Sequence, residues 1–293
     1  MQKDAKLYNL TKPQLSIWLT EQFYQGTNIN TVSGTMTVLE AIDFVKFKAA
    51  INKFVENNDS YRIIITMNNN NVMQYVSPYV PFELEMFDVT SEDELNTIAR
   101  EFCSIPFDIL DSTLFEFKLY RFPDGHGGFT MKTHHIITDS WTIGIMVNEI
   151  IFIYNMLLKN ETIEDVKKDE FSYISYIDSE QEYVNSEKFQ KDKEYWNSLY
   201  NTIPEQATIP STNLDYQHSD SAESTRIELP INKKLLARIN SYCSENSISI
   251  FNFFMSVFSI YLGRVSNLED FVIGTPILNR SNFKEKRTAR YVY

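Results

Sequence analysis

Apolar positions along this chain change period several times, and each change marks an element. After Asp43, a capping residue type, they fall at Phe44, Phe47, Ile51, Phe54 and Val55, which is one face of a helix. Thr11-Lys12-Pro13 opens an earlier helix with proline in its first turn, running to about Gln25 and stopping at Gly26. Thr31 to Val38 reads as a strand. Tyr61 to Met67 and Val72 to Val76 read as two more, joined by Asn68-Asn69-Asn70-Asn71, whose tolerance of positive φ suits a hairpin turn. Ser91 opens a helix reaching about Cys103. Leu114 to Phe122 and Gly127 to Thr133 flank the turn Pro123-Asp124-Gly125-His126, where His126 is read as exposed and inert.

The greasiest run, Ile143 to Leu158, is interrupted by Asn148, Glu149 and Asn155, so it predicts a buried helix and no membrane span. Lys159 to Glu170 is a charged loop. An aromatic, polar helical stretch then runs from Tyr173 to Tyr200, and 201–222 form a long loop that holds His218. Ser224 to Leu229 reads as a strand, Asn232 to Ser244 and Ser249 to Arg264 as helices, and Asp270 to Gly274 as a last strand. The pattern is mixed α and β with hairpins, not the strand-helix alternation of a Rossmann sheet.

Composition narrows the function classes. At 293 residues, 43% apolar and 14% aromatic, the chain can bury a core as one large domain or two ordinary ones. A net charge of −12, from 27 basic and 39 acidic residues, argues against a nucleic-acid or anionic-membrane surface. Cys103 and Cys243 lie too far apart for metal-ligand spacing and read as reduced, buried thiols. The polar start, Met1 to Lys6, leads into no apolar run, so no signal peptide is expected and the cytoplasm is the expected compartment.

Candidate chemistry centres on His134-His135-Ile136-Ile137-Thr138-Asp139, where an apolar strand runs into an apolar helix. The chain has only four histidines. Neighbouring strand side chains point to opposite faces, so one imidazole can aim into a cavity while the other is anchored. His135 is the candidate general base, since an imidazole titrates near about pH 6.5 and a placed base contributes roughly 10²–10⁴-fold in rate. Asp139 could cap the following helix, pair with an arginine or orient the imidazole, and a structural role is the commoner one for such an aspartate. Adjacent histidines point apart and His-Glu-x-x-His is absent, so no metal site is expected. There is no Gly-x-Ser-x-Gly elbow and no glycine-rich phosphate loop.

These residues carry a wider resemblance. His134-His135 with Asp139 resembles the His-His-x-x-x-Asp-Gly motif of nonribosomal peptide synthetase condensation domains and their acyltransferase relatives. Leu10 to Trp18 is similar to the first motif of that family. Asn58-Asp59-Ser60-Tyr61-Arg62 matches the second in its arginine but not its start. Tyr173 to Trp196 is similar to the fourth, and Ile273 to Arg280 matches the fifth closely. The resemblance implies an α+β, chloramphenicol acetyltransferase-like fold of two lobes set in a V, here with an incomplete second lobe. Residues 1–172 would form the lobe carrying the histidine motif and 173–293 a partial second lobe.

The same resemblance implies a condensation-type acyltransferase that joins a donor acyl thioester to an aminoacyl carrier protein through an amide bond. His135 would be catalytic, His134 structural, and Asp139 would form an ion pair with Arg62. No tightly bound cofactor is implied. The substrates would arrive on the phosphopantetheine of carrier proteins or on CoA, and Asn28-Ile29-Asn30-Thr31 is similar to starter-type domains. Two departures stand out. Ser140 occupies the usual glycine position, and Tyr293 follows soon after the fifth motif, which predicts a frameshifted or shortened domain. Exposed lobe edges would then favour a homo-oligomer or a partner. A non-catalytic remnant and a stand-alone oligomeric acyltransferase stay open as alternatives.

Overall fold

The structure is a computed structural model that describes residues 5–164, 166, 172–202, 204–205, 207–209, 227–280 and 286–289. Contacts divide the chain into two units, 1–186 with 277–293, and 187–276. The boundary read from sequence at 172/173 falls before a helix that packs with the first unit.

The first unit is built on two sheets. The larger has the order β2-β7-β6-β5, with β2 Thr31–Val38, β7 Gly127–His134, β6 Phe115–Arg121 and β5 Glu85–Asp88; only β5–β6 is parallel. The smaller is β1-β4-β3, with β1 Tyr8–Asn9, β4 Asn71–Val76 and β3 Ile63–Asn68. Every residue of β7 is buried, including Lys132. Its ammonium is satisfied by Glu116 at 3.1 Å and the Ile105 carbonyl at 3.1 Å, and it lies 4.8 Å above the Phe107 ring.

Helices cover the large sheet. Helix α2, Phe44–Asn57, starts where Asp43 Oδ1 accepts from the Val45 and Lys46 amides, both at 3.1 Å. Its buried stripe of Phe47, Ala50, Ile51, Phe54 and Val55 meets α4, Ser140–Leu158, and the sheet. Phe47 packs edge-on to Tyr154 at 5.1 Å and Phe54 edge-on to Tyr61 at 4.8 Å. Helix α4 is long and apolar enough to cross a membrane, yet Met146, Ile150, Ile153 and Tyr154 lie in this core. Helix α1, Lys12–Phe23, begins with a capping box between Thr11 and Gln14. Helix α3, Glu92–Ser104, is capped by Ser91.

Helix α5, Tyr173–Val184, joins a second cluster with Leu10, Ile63, Ile65, Ile136 and Ile137 through Tyr173 and Ile177. The second unit holds α6 Glu187–Leu199, α7 Lys233–Glu245 and α8 Ile250–Ser266. Asn232 and Ser249 cap the last two.

Several expectations change. Tyr61 and Arg62 belong to a 3-10 turn, Asp59–Arg62, and not to β3, because the turn lets Asp59 reach the start of α5. The stretch 173–200 is two helices, broken at Asn185-Ser186. Asp270 to Gly274 forms no strand, and neither do 227–229; 224–226, most of the loop 201–222 and His218 lie outside the described residues. Strands β1 and β5, of two and four residues, are too short to carry a period. Cys103 is only partly buried. His126 is half-buried, stacked on Phe122 at 4.2 Å and bonded to Asp124, so it stabilises its hairpin.

Candidate active site

Strand β7 ends at His134, and a turn over 135–137 delivers the chain to α4. The two imidazoles meet different partners, and His135 lies in the turn, past the last residue of the strand. His134 is buried against α1, with its Nε2 3.4 Å from Glu21 Oε2 and its Nδ1 accepting from the Ile136 amide at 3.1 Å. His135 is half-buried. Its Nδ1 lies 2.8 Å from the Thr138 carbonyl, which can only accept. Nδ1 therefore carries the proton, and the basic lone pair of the neutral ring is on Nε2.

Asp139 is the N-cap of α4: its Oδ1 accepts from the Thr142 amide at 2.7 Å. It also makes an ion pair, but not with Arg62. Arg280 Nη2 donates to Asp139 Oδ2 at 2.8 Å and to Oδ1 at 3.1 Å, both side chains being fully buried. The same nitrogen donates to Thr142 Oγ1 at 3.1 Å, and Nη1 donates to the Thr288 carbonyl.

The expected Asp139–Arg62 pair is thus corrected. Arg62 donates to the Val55 carbonyl at 3.0 Å, to that of Glu56, and to Ser77 O at 3.2 Å. It satisfies carbonyls that the last turn of α2 leaves without helical partners. Burial pulls its pKa below the ordinary value, against the opposing fields of Asp59 and Glu56. A cavity of about 520 Å³ opens beside it, lined also by Asn58, Asp59, Glu149 and Arg287. His135 is not among the lining residues. Ser140, in the glycine position, is the first residue of α4 and is not among the described positive-φ residues, so serine fits without strain.

Three supporting residues were missed. Buried Gln14 pairs its amide with that of Gln74, at 2.9 and 2.8 Å, and donates to the Ile136 carbonyl at 3.2 Å. Glu21 lies seven residues on, on the same face of α1 and also buried. Two polar residues at that spacing, with Trp18 between them, were the available signal. Asn30 Nδ2 donates to Glu21 Oε2 at 2.7 Å, and its carbonyl accepts from the His135 amide at 2.7 Å. No group of three His, Cys, Asp or Glu side chains suited to a metal occurs among the described residues.

Burial alone would raise the Glu21 carboxyl, but the bonds from His134 and Asn30 outweigh it and hold the pKa below its ordinary value. A depressed carboxyl contributes stability above its unfolded pKa and loses it as pH falls through the folded one. Acid unfolding of the wild type should therefore show a loss below the ordinary carboxylate range that is smaller in Glu21→Gln. Urea midpoints measured across that range would check this; equal losses in both proteins would reject it.

Comparison with known proteins follows the same outline. The Condensation domain family profile matches residues 4–291. Surfactin synthase subunit 1 of Bacillus subtilis (strain 168) is 33% identical over 292 residues, which is 97% of this chain and 8% of that protein. Tyrocidine synthase 3 of Brevibacillus parabrevis is 25% identical over 288 residues, 97% of this chain and 4% of that protein. The chain therefore spans only a small part of these relatives. Among solved structures, the first condensation domain of the CDA synthetase superposes with a TM-score of 0.80 at 15% identity, covering 99% of this chain and 69% of that one. A variant of the starter condensation domain of the rhizomide synthetase RzmA, in complex with C8-CoA, gives 0.76 at 17%, covering 98% and 64%.

Proposed function

The chain belongs to the condensation-domain family, with its chloramphenicol acetyltransferase-like mixed fold, and on that footing we propose that it forms an amide bond between a donor acyl thioester and an aminoacyl carrier protein in nonribosomal peptide synthesis. The observation that carries this reading is the 2.8 Å bond from His135 Nδ1 to Thr138 O, which places the ring's basicity on Nε2. From there Nε2 takes a proton from the acceptor amine as its nitrogen attacks the thioester carbonyl. The N–C bond forms, the C–S bond breaks, and the departing thiolate takes up the proton from Nε2, which returns the imidazole to its neutral form. Asp139, held by Arg280, caps α4 and fixes the end of the turn that carries the imidazole.

We further assign the donor to an acyl chain on CoA or on a carrier's phosphopantetheine, as in starter-type domains. The support is the C8-CoA complex of the structurally similar rhizomide synthetase domain and the sequence likeness to surfactin synthase subunit 1. A second reading, an interaction module without turnover, is favoured by one feature: helix α8 leaves Phe251, Val257, Phe258 and Ile260 exposed among the described residues.

One assay separates the readings. The protein is mixed with octanoyl-CoA or an acyl carrier protein and an aminoacyl carrier protein, and amide product is followed by mass spectrometry. His135→Ala should lower the rate by roughly 10²–10⁴-fold while leaving the urea midpoint close to wild type. No product from wild type under any donor supports the module instead.

A further inference from the structure

The buried contacts behind the motif reach beyond this assignment. His134 Nδ1 accepts the Ile136 N–H at 3.1 Å, so a neutral ring there carries its proton on Nε2. Nε2 faces the Glu21 carboxylate, which when ionised can only accept. Glu21 is 5% exposed, and its Oε2 takes a second donor from Asn30 at 2.7 Å. The opposite tautomer of His134 would set an N–H against the Ile136 N–H inside the protein. A buried donor left without an acceptor costs about 1–3 kcal/mol, so the carboxylate and the amide select one tautomer together.

That selection reaches His135 through the turn. Ile136 is clamped on both sides, its N–H by His134 Nδ1 and its carbonyl by Gln14 Nε2 at 3.2 Å. The Ile137 amide donates to His134 O at 3.1 Å and the Thr138 amide to His135 O at 3.4 Å. The turn so fixed carries the Thr138 carbonyl to 2.8 Å from His135 Nδ1. Asn30 closes the circuit: its side chain holds Glu21 and its carbonyl holds the His135 amide at 2.7 Å. The two rings thus bear opposite tautomers, Nε2–H on His134 and Nδ1–H on His135.

We propose that Glu21 is a positioning residue for His135: it fixes the tautomer of His134, whose Nδ1 holds the turn that in turn fixes the tautomer of His135. The reading of His135 as the base underlies only the kinetic part of this proposal. The depressed Glu21 pKa fits, since an ionised carboxylate is the form that selects Nε2–H. The competing view makes Glu21 a buried stabilising group with no effect on the imidazoles.

Glu21→Gln separates the two, because it keeps the shape while replacing the charged acceptor that faces both His134 Nε2 and Asn30 Nδ2 with a neutral amide, which selects the Nε2–H form less strongly. The full chain is labelled with ¹⁵N-histidine. Long-range ¹H–¹⁵N correlations report each ring's tautomer, assigned by substituting the four histidines in turn. Wild type should show His134 as Nε2–H and His135 as Nδ1–H. In Glu21→Gln both signatures should move toward the other tautomer or a mixture. Glu21→Asp, which keeps the charged acceptor, should restore them. In the amide assay kcat should fall about 10–100-fold in Glu21→Gln, a part of the roughly 10²–10⁴-fold that a placed base contributes, with KM changed far less.

A His135 that stays purely Nδ1–H in folded Glu21→Gln overturns the proposal, as does a changed tautomer with an unchanged kcat. If Glu21→Gln does not fold, Asn30→Ala withdraws the 2.7 Å donor and should shift both signatures in the same sense by less; unshifted rings then reject the relay. If wild type makes no amide, the proposed reaction fails, while the tautomer readout still decides the relay.

Discussion

Asp139→Ala is expected to lose amide formation and roughly 3–5 kcal/mol of stability together, because it strands a buried guanidinium. Arg280 is 4% exposed and its Nη2 makes two contacts to the Asp139 carboxylate, at 2.8 and 3.1 Å. Removing the acid takes both carboxylate contacts away from a charge held in the interior. The variant also removes the cap on the Thr142 amide, at the helix end that follows His135. Replacing both partners with apolar residues, as in Asp139→Leu with Arg280→Met, should be less damaging to stability than either single change, since no unpaired charge remains. Turnover should stay lost, because the cap is still missing.

The same series separates the two arginines. Arg62→Ala leaves the Asp139–Arg280 pair intact and withdraws donors from carbonyls at the end of α2. Its cost should be about 1–3 kcal/mol and add to that of Asp139→Ala. Urea unfolding checks both statements. An Arg62→Ala cost equal to that of Asp139→Ala, and non-additive with it, would restore the pairing expected from sequence.

Gly128→Ala is expected to abolish folding of the first unit. A Cβ built at Gly128 would lie 1.8 Å from the Met36 carbonyl oxygen and 2.9 Å from its carbon. At neighbouring Gly127 it would lie 2.2 Å from Tyr120 O. These are backbone atoms of β2 and β6, paired with β7 along its length. They cannot yield unless the strands part, and β7 is the strand that ends at His134. The loss should exceed about 4 kcal/mol and appear as a collapse of soluble yield. Gly144→Ala is the contrast. Gly144 is an exposed position in α4 with nothing within 4 Å of a Cβ, so alanine should add about 0.5–1 kcal/mol through helix propensity. A soluble Gly128→Ala protein with an unchanged urea midpoint would contradict the close strand approach.

Much of the fold was legible where its cause is local. Asp43, Ser91 and Asn232 cap helices because a side-chain oxygen reaches an amide two or three residues on, and only those residues take part. Asn69 and Asn70, with φ of 49° and 64°, turn the hairpin by their own conformational tolerance. The strand at Thr31–Val38 and the stripe of α2 follow from period alone. Short or irregular segments were not legible in this way. Asp270 to Gly274 is β-like in composition yet has no partner strand among the described residues, and strand character without a partner leaves no ladder.

The candidate site divides along the same line. The sequence by itself determined that an imidazole pair sits at a strand end with an aspartate at the start of the next helix, and that five motifs in order resemble condensation domains; that the aspartate is the cap came from the structure. Nor did the sequence determine which arginine meets Asp139, or that Glu21 and Asn30 stand behind the histidines. Arg62 and Arg280 carry the same group, and Arg280 lies 141 residues from Asp139 along the chain. An ion pair depends on separation in space. Only the packing of α2, whose end claims Arg62, and the return of residues 277–293 to the first unit decided the choice.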